Sequence, residues 1–354
     1  MKKKQTFEIM DVTLRDGSYA INFQFSTNDE KHICTSLERL GLKYIEIGHG
    51  MGVGASCLKN GLALHTDQEY LECAQTYLKS AKYGMFCIPG TASLEDIDLM
   101  AEYGCSFIRV GTNVENIAQS EEYIKRAKKH HMLVMANYMK SYAATPEEFS
   151  EAVKHSESWG ADLIYIVDSA GNMIPADIEK YYHAIRNCSS TIKTGFHGHN
   201  NIGLALSNSL FAAELGIDFI DCSLQGLGRS SGNTSLEHFI ICLMRLGYDI
   251  STDIISMLLD SKKYIHPFMK KAGINPIDTI CGISGFHTSY LKEIQKCSVR
   301  HAVNPLLLID AYSKRDKVNM DTHLLDEIAR QLPKDEQSVE TVDFMDYFGA
   351  EQCR

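Results

Sequence analysis

Two imidazoles two residues apart, His197 and His199, stand in Phe196-His197-Gly198-His199-Asn200-Asn201, and they point most directly to chemistry. The segment before them, Ile192 to Phe196, reads as a β-strand. Side chains two apart on an extended strand project to one side. His197 and His199 therefore offer a divalent metal two neutral nitrogen ligands. Two solvated histidines at a strand end would have the same spacing, so the metal reading needs a third, hard ligand from elsewhere. Asp16, in Thr13-Leu14-Arg15-Asp16-Gly17, is the candidate. Two histidines and one carboxylate, with open positions left over, suit a catalytic Mn²⁺, Mg²⁺, Zn²⁺ or Fe²⁺. Such a site can chelate a 2-oxo acid through its keto and carboxylate oxygens and stabilise the enolate. Arg15 adjoins Asp16, but neighbours on an extended strand diverge. A turn at Gly17 must re-aim Arg15 if both are to reach one substrate; otherwise Arg15 serves as a structural ion-pair partner.

The elements that would hold these residues alternate along the chain. β-type runs occur at Phe7–Val12, Tyr44–Ile47, Tyr83–Phe86, Phe107–Val110, Leu133–Asn137, Leu163–Val167, Ile192–Phe196 and Phe219–Cys222. Segments with helical spacing lie between them. Ser93-Leu94-Glu95-Asp96 and Thr145-Pro146-Glu147-Glu148 read as helix starts. Leu40-Gly41, Tyr103-Gly104, Trp159-Gly160 and Leu215-Gly216 read as helix stops. Alternation favours a parallel sheet, and eight units favour an α/β fold of the closed (β/α)8 TIM-barrel type over a doubly wound open sheet. The active end of such a barrel lies at the carboxyl ends of its strands. Arg15 and Asp16, Glu46 and His49, Arg109, Asn137, Asp168 and Ser169, His197 and His199, and Asp221, Ser223 and Gln225 all fall there.

Two glycine-rich segments miss the dinucleotide-binding spacing. Gly48 to Gly54 reads as a loop able to close over the second strand, or as an idle turn. In Gln225 to Asn233 the glycines let backbone N–H groups approach an anion, or serve only a tight turn. The 354 residues are 44% hydrophobic and 23% charged, with a formal net charge of -10, which disfavours nucleic acid as a partner. No apolar stretch approaches the length of a membrane span, and the chain reads as cytoplasmic. The 11 cysteines show no Cys-x-x-Cys pair, against a disulfide framework or zinc ribbon. The barrel is expected over residues 1–264. Residues 265–354 are expected to form a small helical appendage for packing or oligomerisation, with helices at Ser289–Ser298, Pro305–Ser313 and Thr322–Leu332.

Taken together, Thr13 to Gly17, His197 to Asn201 and Gly226 to Asn233 resemble the metal-dependent TIM-barrel lyases and synthases related to 3-hydroxy-3-methylglutaryl-CoA lyase. Ile45-Glu46-Ile47-Gly48-His49-Gly50, Val167-Asp168-Ser169-Ala170-Gly171 and Gly282-Ile283-Ser284-Gly285 are most similar to the 4-hydroxy-2-oxovalerate aldolase branch. The resemblance implies a divalent cation, Mn²⁺ first and Mg²⁺, Co²⁺ or Zn²⁺ next, on Asp16, His197 and His199, with Asn233 coordinating or supporting it. It implies that Arg15 stabilises the enolate of pyruvate and that Arg15, Ser169, His197 and His287 contact substrate. The substrates would be a 2-oxo acid and an aldehyde. An acylating aldehyde dehydrogenase and further copies of the chain are the implied partners. One departure bears on catalysis. The aldolases carry a basic histidine where this chain has Tyr19, and a substrate-contacting tyrosine where it has His287. Either Tyr19 and His287 lie close together and have exchanged roles, His287 supplying or relaying the base that a free phenol cannot, or the two changes are unrelated and the substrate chemistry has shifted. Alternatives are an acyl-CoA-dependent condensing enzyme or lyase of the same superfamily, and a non-catalytic partner barrel.

Overall fold

Eight short strands run parallel and close on themselves in chain order: β1 (Glu8–Asp11), β2 (Tyr44–Ile47), β3 (Lys82–Cys87), β4 (Phe107–Asn113), β5 (Leu133–Met139), β6 (Leu163–Asp168), β7 (Lys193–Gly198) and β8 (Phe219–Cys222). The β1–β8 pairing, with Asp11 opposite Cys222, completes the barrel. The computed structural model describes residues 6–57, 60–169, 171–200, 202–229, 232–269, 276, 277, 280, 284, 286, 290–316 and 320–335. Every strand expected from the sequence is present within a few residues of its expected bounds. The helices between them begin and end as their chemistry dictates. Ser93 and Thr145 cap their helices with reciprocal bonds to Asp96 and Glu148. Gly160 and Gly216 end theirs in the left-handed conformation.

Period-two alternation sorts the barrel interior into layers. Met10, Tyr44, Phe107, Leu163 and Phe219 are buried in one apolar cluster that also includes Met135, Tyr165 and Val167. Two residues further along three of these strands the inward positions become charged: Glu46, Arg109 and Asp221, each fully or almost fully buried. Arg109 bridges the two acids, donating from Nη1 to Glu46 Oε2 (2.7 Å) and from Nη2 to Asp221 Oδ2 (2.6 Å). Its guanidinium lies 4.2 Å from the centroid of the Tyr165 ring. Burial alone would lower its pKa, but the two carboxylates raise it, so Arg109 is a permanent cation.

The chain divides into two compact units, Met1–Thr252 and Asp253–Arg354. The sequence reading placed the change near residue 264. The division falls earlier because the helix Ile254–Asp260 shares its core with the second unit. Leu258 is buried in one cluster with Leu291, Ile294, Leu306, Leu308, Ile309, Tyr312 and Leu325. That unit contains the helices Leu291–His301, Pro305–Ser313 and Thr322–Gln331, close to the expected spans. Among the described residues, no helix is long and apolar enough to cross a membrane.

Candidate active site

The turn after β1 does what Arg15 required of it. The Asp16 backbone N–H bonds Val12 O (2.9 Å), and a tight turn runs Asp16–Ile21. Both side chains then face one cleft. Arg15 donates from Nη1 to Asp16 Oδ1 (2.8 Å) and from Nε to Glu46 Oε2 (2.7 Å). Arg15 is thus an ion-pair partner and a lining residue of the cleft at once. Asp16 Oδ2 accepts the Asn233 amide (2.9 Å) and the Arg229 backbone N–H (3.1 Å). Burial would raise the Asp16 carboxyl, but Arg15, His199, His197 and Asn233 hold it well below the usual carboxylate range.

Asp16, His197 and His199 offer ligand atoms that all lie within 4.8 Å of one another. His197 Nδ1 lies 2.8 Å from Asp221 Oδ2, and His199 Nδ1 lies 3.3 Å from Gly232 O. Both partners are acceptors, so each Nδ1 carries the ring proton. The two Nε2 atoms, the nitrogens left to ligate, face one another at 3.4 Å. Burial pushes His199 down to about 4, which keeps it neutral and able to ligate at physiological pH. Asn233 adds a buried Oδ1 that has no hydrogen-bond partner among the described residues, beside the same carboxylate. This donor set, with an outer carboxylate orienting one imidazole, fits a divalent ion. A second group of potential ligand atoms, Cys297, His301 and Asp326, is occupied otherwise, because Arg300 Nη1 bonds both Asp326 oxygens at 2.9 Å.

Glycines let the loop after β8 reach the site. A Cβ on Gly228 would fall 2.3 Å from Asn233 Nδ2 and 2.8 Å from Asp16 Oδ2. Gly232 has φ +94, and a Cβ there would meet Gly226 O at 2.3 Å. In this loop the Arg229 backbone N–H bonds the chain's own Asp16 carboxylate. Within Gly48–Gly54, Gly50 lines the cleft. A Cβ on Gly50 would lie 2.7 Å from the Tyr19 ring, and Val53 N–H bonds Phe86 O (2.9 Å).

The remaining expected residues divide. Ser169 lines the cleft, and its Oγ accepts the Lys140 backbone N–H (2.9 Å). Tyr19 lines the cleft too; burial raises its pKa further, against the pull of Arg15. His287 lies outside the described residues. His49 faces away from the chemistry: it stacks on Phe23 at 3.9 Å, with Nδ1 accepting the Met51 N–H and Nε2 facing Gly61 O. Sequence reasoning placed Asp221, Glu46 and Arg109 at strand ends without seeing that they form one chain of contacts to the metal-ligand candidates. The available signal was a charge inside an apolar strand, as in Phe107-Ile108-Arg109-Val110. The cleft has a volume of about 60 Å³. A larger cavity, about 410 Å³ between Tyr142, Pro146, Met173 and Tyr181, shares none of its lining residues.

A 4-hydroxy-2-oxovalerate aldolase of Carboxydothermus hydrogenoformans is 32% identical over 335 residues, covering 94% of this chain and 99% of the relative. An oxaloacetate decarboxylase of Mycobacterium tuberculosis is 32% identical over 289 residues, covering 81% of this chain and 85% of the relative. The crystal structure of Bacillus subtilis HMG-CoA lyase superposes with a TM-score of 0.62 at 19% identity, over 76% of this chain and 95% of that one, and so shares the fold. The family model described as HMGL-like matches residues 6–265, which spans the whole barrel and every ligand candidate in it, and the chain belongs to that family.

Proposed function

We propose that this protein is a divalent-metal-dependent aldolase that cleaves or forms a 4-hydroxy-2-oxo acid, joining pyruvate to an aldehyde. The observation that carries the reading is the convergence of Asp16, His197 and His199 on one point, beside the Arg15 guanidinium, in a cleft at the carboxyl ends of the strands. Those three side chains would hold the ion, with Asn233 Oδ1 as a further ligand or support, and Mn²⁺ is the metal we expect. When bound, the ion supplies Lewis-acid polarisation of the 2-oxo group.

The chain's own groups do the rest. Arg15 spends Nε and Nη1 on Glu46 and Asp16, which fixes the guanidinium plane. Its Nη2, in neither pair, is the donor for the oxygen that gains negative charge. Ser169 accepts from Lys140, and among the described residues its own proton has no acceptor, which leaves it to bond a substrate oxygen. Phe86, Ile88 and Val167 line the cleft and exclude water. We assign proton transfer at the 4-oxygen to Tyr19, which lines the cleft, and His287 acting as one relay. In cleavage the relay takes the 4-hydroxyl proton, with His287 supplying the basicity that a phenol lacks, and in condensation it returns that proton to the aldehyde oxygen. The His287→Ala variant should lose at least about tenfold in cleavage rate if that assignment holds; undiminished turnover would remove it. The reading includes a cytoplasmic homo-oligomer and an acylating aldehyde dehydrogenase partner that takes up the aldehyde.

One observation favours a second reading. Among the described residues, the cleft contains no imidazole besides the two ligand candidates. Decarboxylation of a 3-carboxy-2-oxo acid to pyruvate needs no base on a 4-hydroxyl. The deciding experiment supplies metal-free protein with Mn²⁺ and either 4-hydroxy-2-oxopentanoate or oxaloacetate, and follows pyruvate. Metal-dependent pyruvate from the first substrate supports the aldolase. Release from oxaloacetate alone supports the decarboxylase. Thiol release from an acyl-CoA would favour a condensing enzyme, and no turnover on any of these a non-catalytic barrel.

A further inference from the structure

Arginines near this cleft are of two kinds. Arg15 and Arg109 are buried, and each is held by two carboxylates. Arg229 also lines the cleft but is exposed at its rim. Among the described residues no carboxylate oxygen lies within 4.0 Å of its side chain. It is not a drifting surface charge. Its backbone N–H is tied to Asp16 Oδ2 at 3.1 Å, and the preceding Gly228 presses the chain against Asn233 and Asp16. Its guanidinium carbon lies 5.5 Å from the centroid of the Tyr19 ring, which itself lines the cleft. The loop therefore roots a cation beside the metal-ligand candidates and rests it on an aromatic face at the mouth.

A 2-oxo acid bound at Arg15 and Ser169 places its carboxylate and keto oxygens deep in the cleft. The half of the substrate that comes from the aldehyde must extend toward the rim, where Arg229 stands. An unpaired guanidinium offers a fork of N–H donors matched to a carboxylate or phosphate group. We propose that Arg229 is a specificity-determining residue, selecting substrates whose aldehyde-derived half ends in an anionic oxygen group. That group is a carboxylate or a phosphate monoester, so the intact substrate carries a second negative centre beyond its 2-oxo acid. This inference rests on the aldolase reading of the same site.

The test uses the full chain with Mn²⁺ and pyruvate against matched aldehydes: succinic semialdehyde and its methyl ester, and glycolaldehyde phosphate and glycolaldehyde. The anionic member of at least one pair should be preferred in kcat/KM by about 10- to 100-fold, the range of a charged hydrogen bond. The pair with the larger ratio distinguishes carboxylate from phosphate. Arg229→Gln should bring that ratio close to one, chiefly through KM of the anionic aldehyde, and Arg229→Lys should retain part of it. Because the ratio is internal to each protein, a partial loss of folded enzyme does not disturb it. Exchange of the pyruvate methyl protons with D2O, measured without aldehyde, separates the two levels of the argument. Absence of exchange in the natural protein overturns the aldolase reading and this inference with it. Exchange with no preference in either pair, or a preference that survives Arg229→Gln, overturns this inference alone.

Discussion

Asp221 decides which nitrogen of His197 faces the cleft. Its Oδ2 accepts from His197 Nδ1 and from Arg109 Nη2, so the carboxylate is both oriented and charged. Burial would raise it, but Arg109 and His197 lower its pKa below the ordinary value. Replacing Asp221 with Asn removes the fixed acceptor and lets the ring reverse its tautomer. Mn²⁺ affinity, measured by titration, should fall about 10- to 100-fold. Asp16→Asn should cost more, because it removes the one negative charge among the three ligand candidates. These side chains were only partly legible in the sequence. The pair His197 and His199 declares itself by spacing, and Asp16 by its place after the first strand. The orienting role of Asp221 is a contact between neighbouring strands, and no local spacing encodes it.

At the scale of elements, two devices hold the site: the charged layer inside the barrel and the glycine loop after β8. Arg109 neutralises Glu46 and Asp221 where water cannot reach them. Arg109→Ala leaves two buried carboxylates without their shared partner, and urea denaturation should show a loss of about 3–5 kcal/mol. The loop is equally specific. Gly228→Ala places a methyl group 2.3 Å from Asn233 Nδ2 and 2.8 Å from Asp16 Oδ2. The ligand must move, so metal affinity should fall by at least about tenfold, with a much smaller loss of stability than Arg109→Ala. Strands and helix caps were readable because each is a local pattern: apolar runs of about five residues, and a hydroxyl three residues before an acid. The use of the loop glycines was not, since a tight turn and a close approach need the same residue. Only the packed structure shows that Gly228 is set by what it faces.

For the whole molecule, the barrel's closure brings Asp11 into a site without solvent. Asp11 accepts from the Thr13 N–H (3.0 Å) and hydroxyl (2.9 Å), yet burial pushes its carboxyl up from 3.8 to about 7. A folded-state value above the unfolded one means that folding favours the protonated form. Its stabilising contribution is therefore complete below about pH 4 and is lost as pH rises through about 7. Relative to Asp11→Asn, the natural protein should lose up to about 1.4 kcal/mol per pH unit across that window. Paired denaturation curves at pH 4.5, 6 and 7.5 would check it; a constant difference would refute it. The eight-fold alternation made the barrel legible, whereas the division of the chain at Thr252 was not, because Leu258 joins the second core through tertiary packing. The account depends most on one cation shared by the ends of β1 and β7. Its most direct measurement is a titration of metal-free protein with Mn²⁺, followed by electron paramagnetic resonance. The account predicts one tight site per chain, with nitrogen couplings from two imidazoles, lost in Asp16→Ala and in His199→Ala. A protein that binds no Mn²⁺, or one whose tight site survives both substitutions, would contradict it.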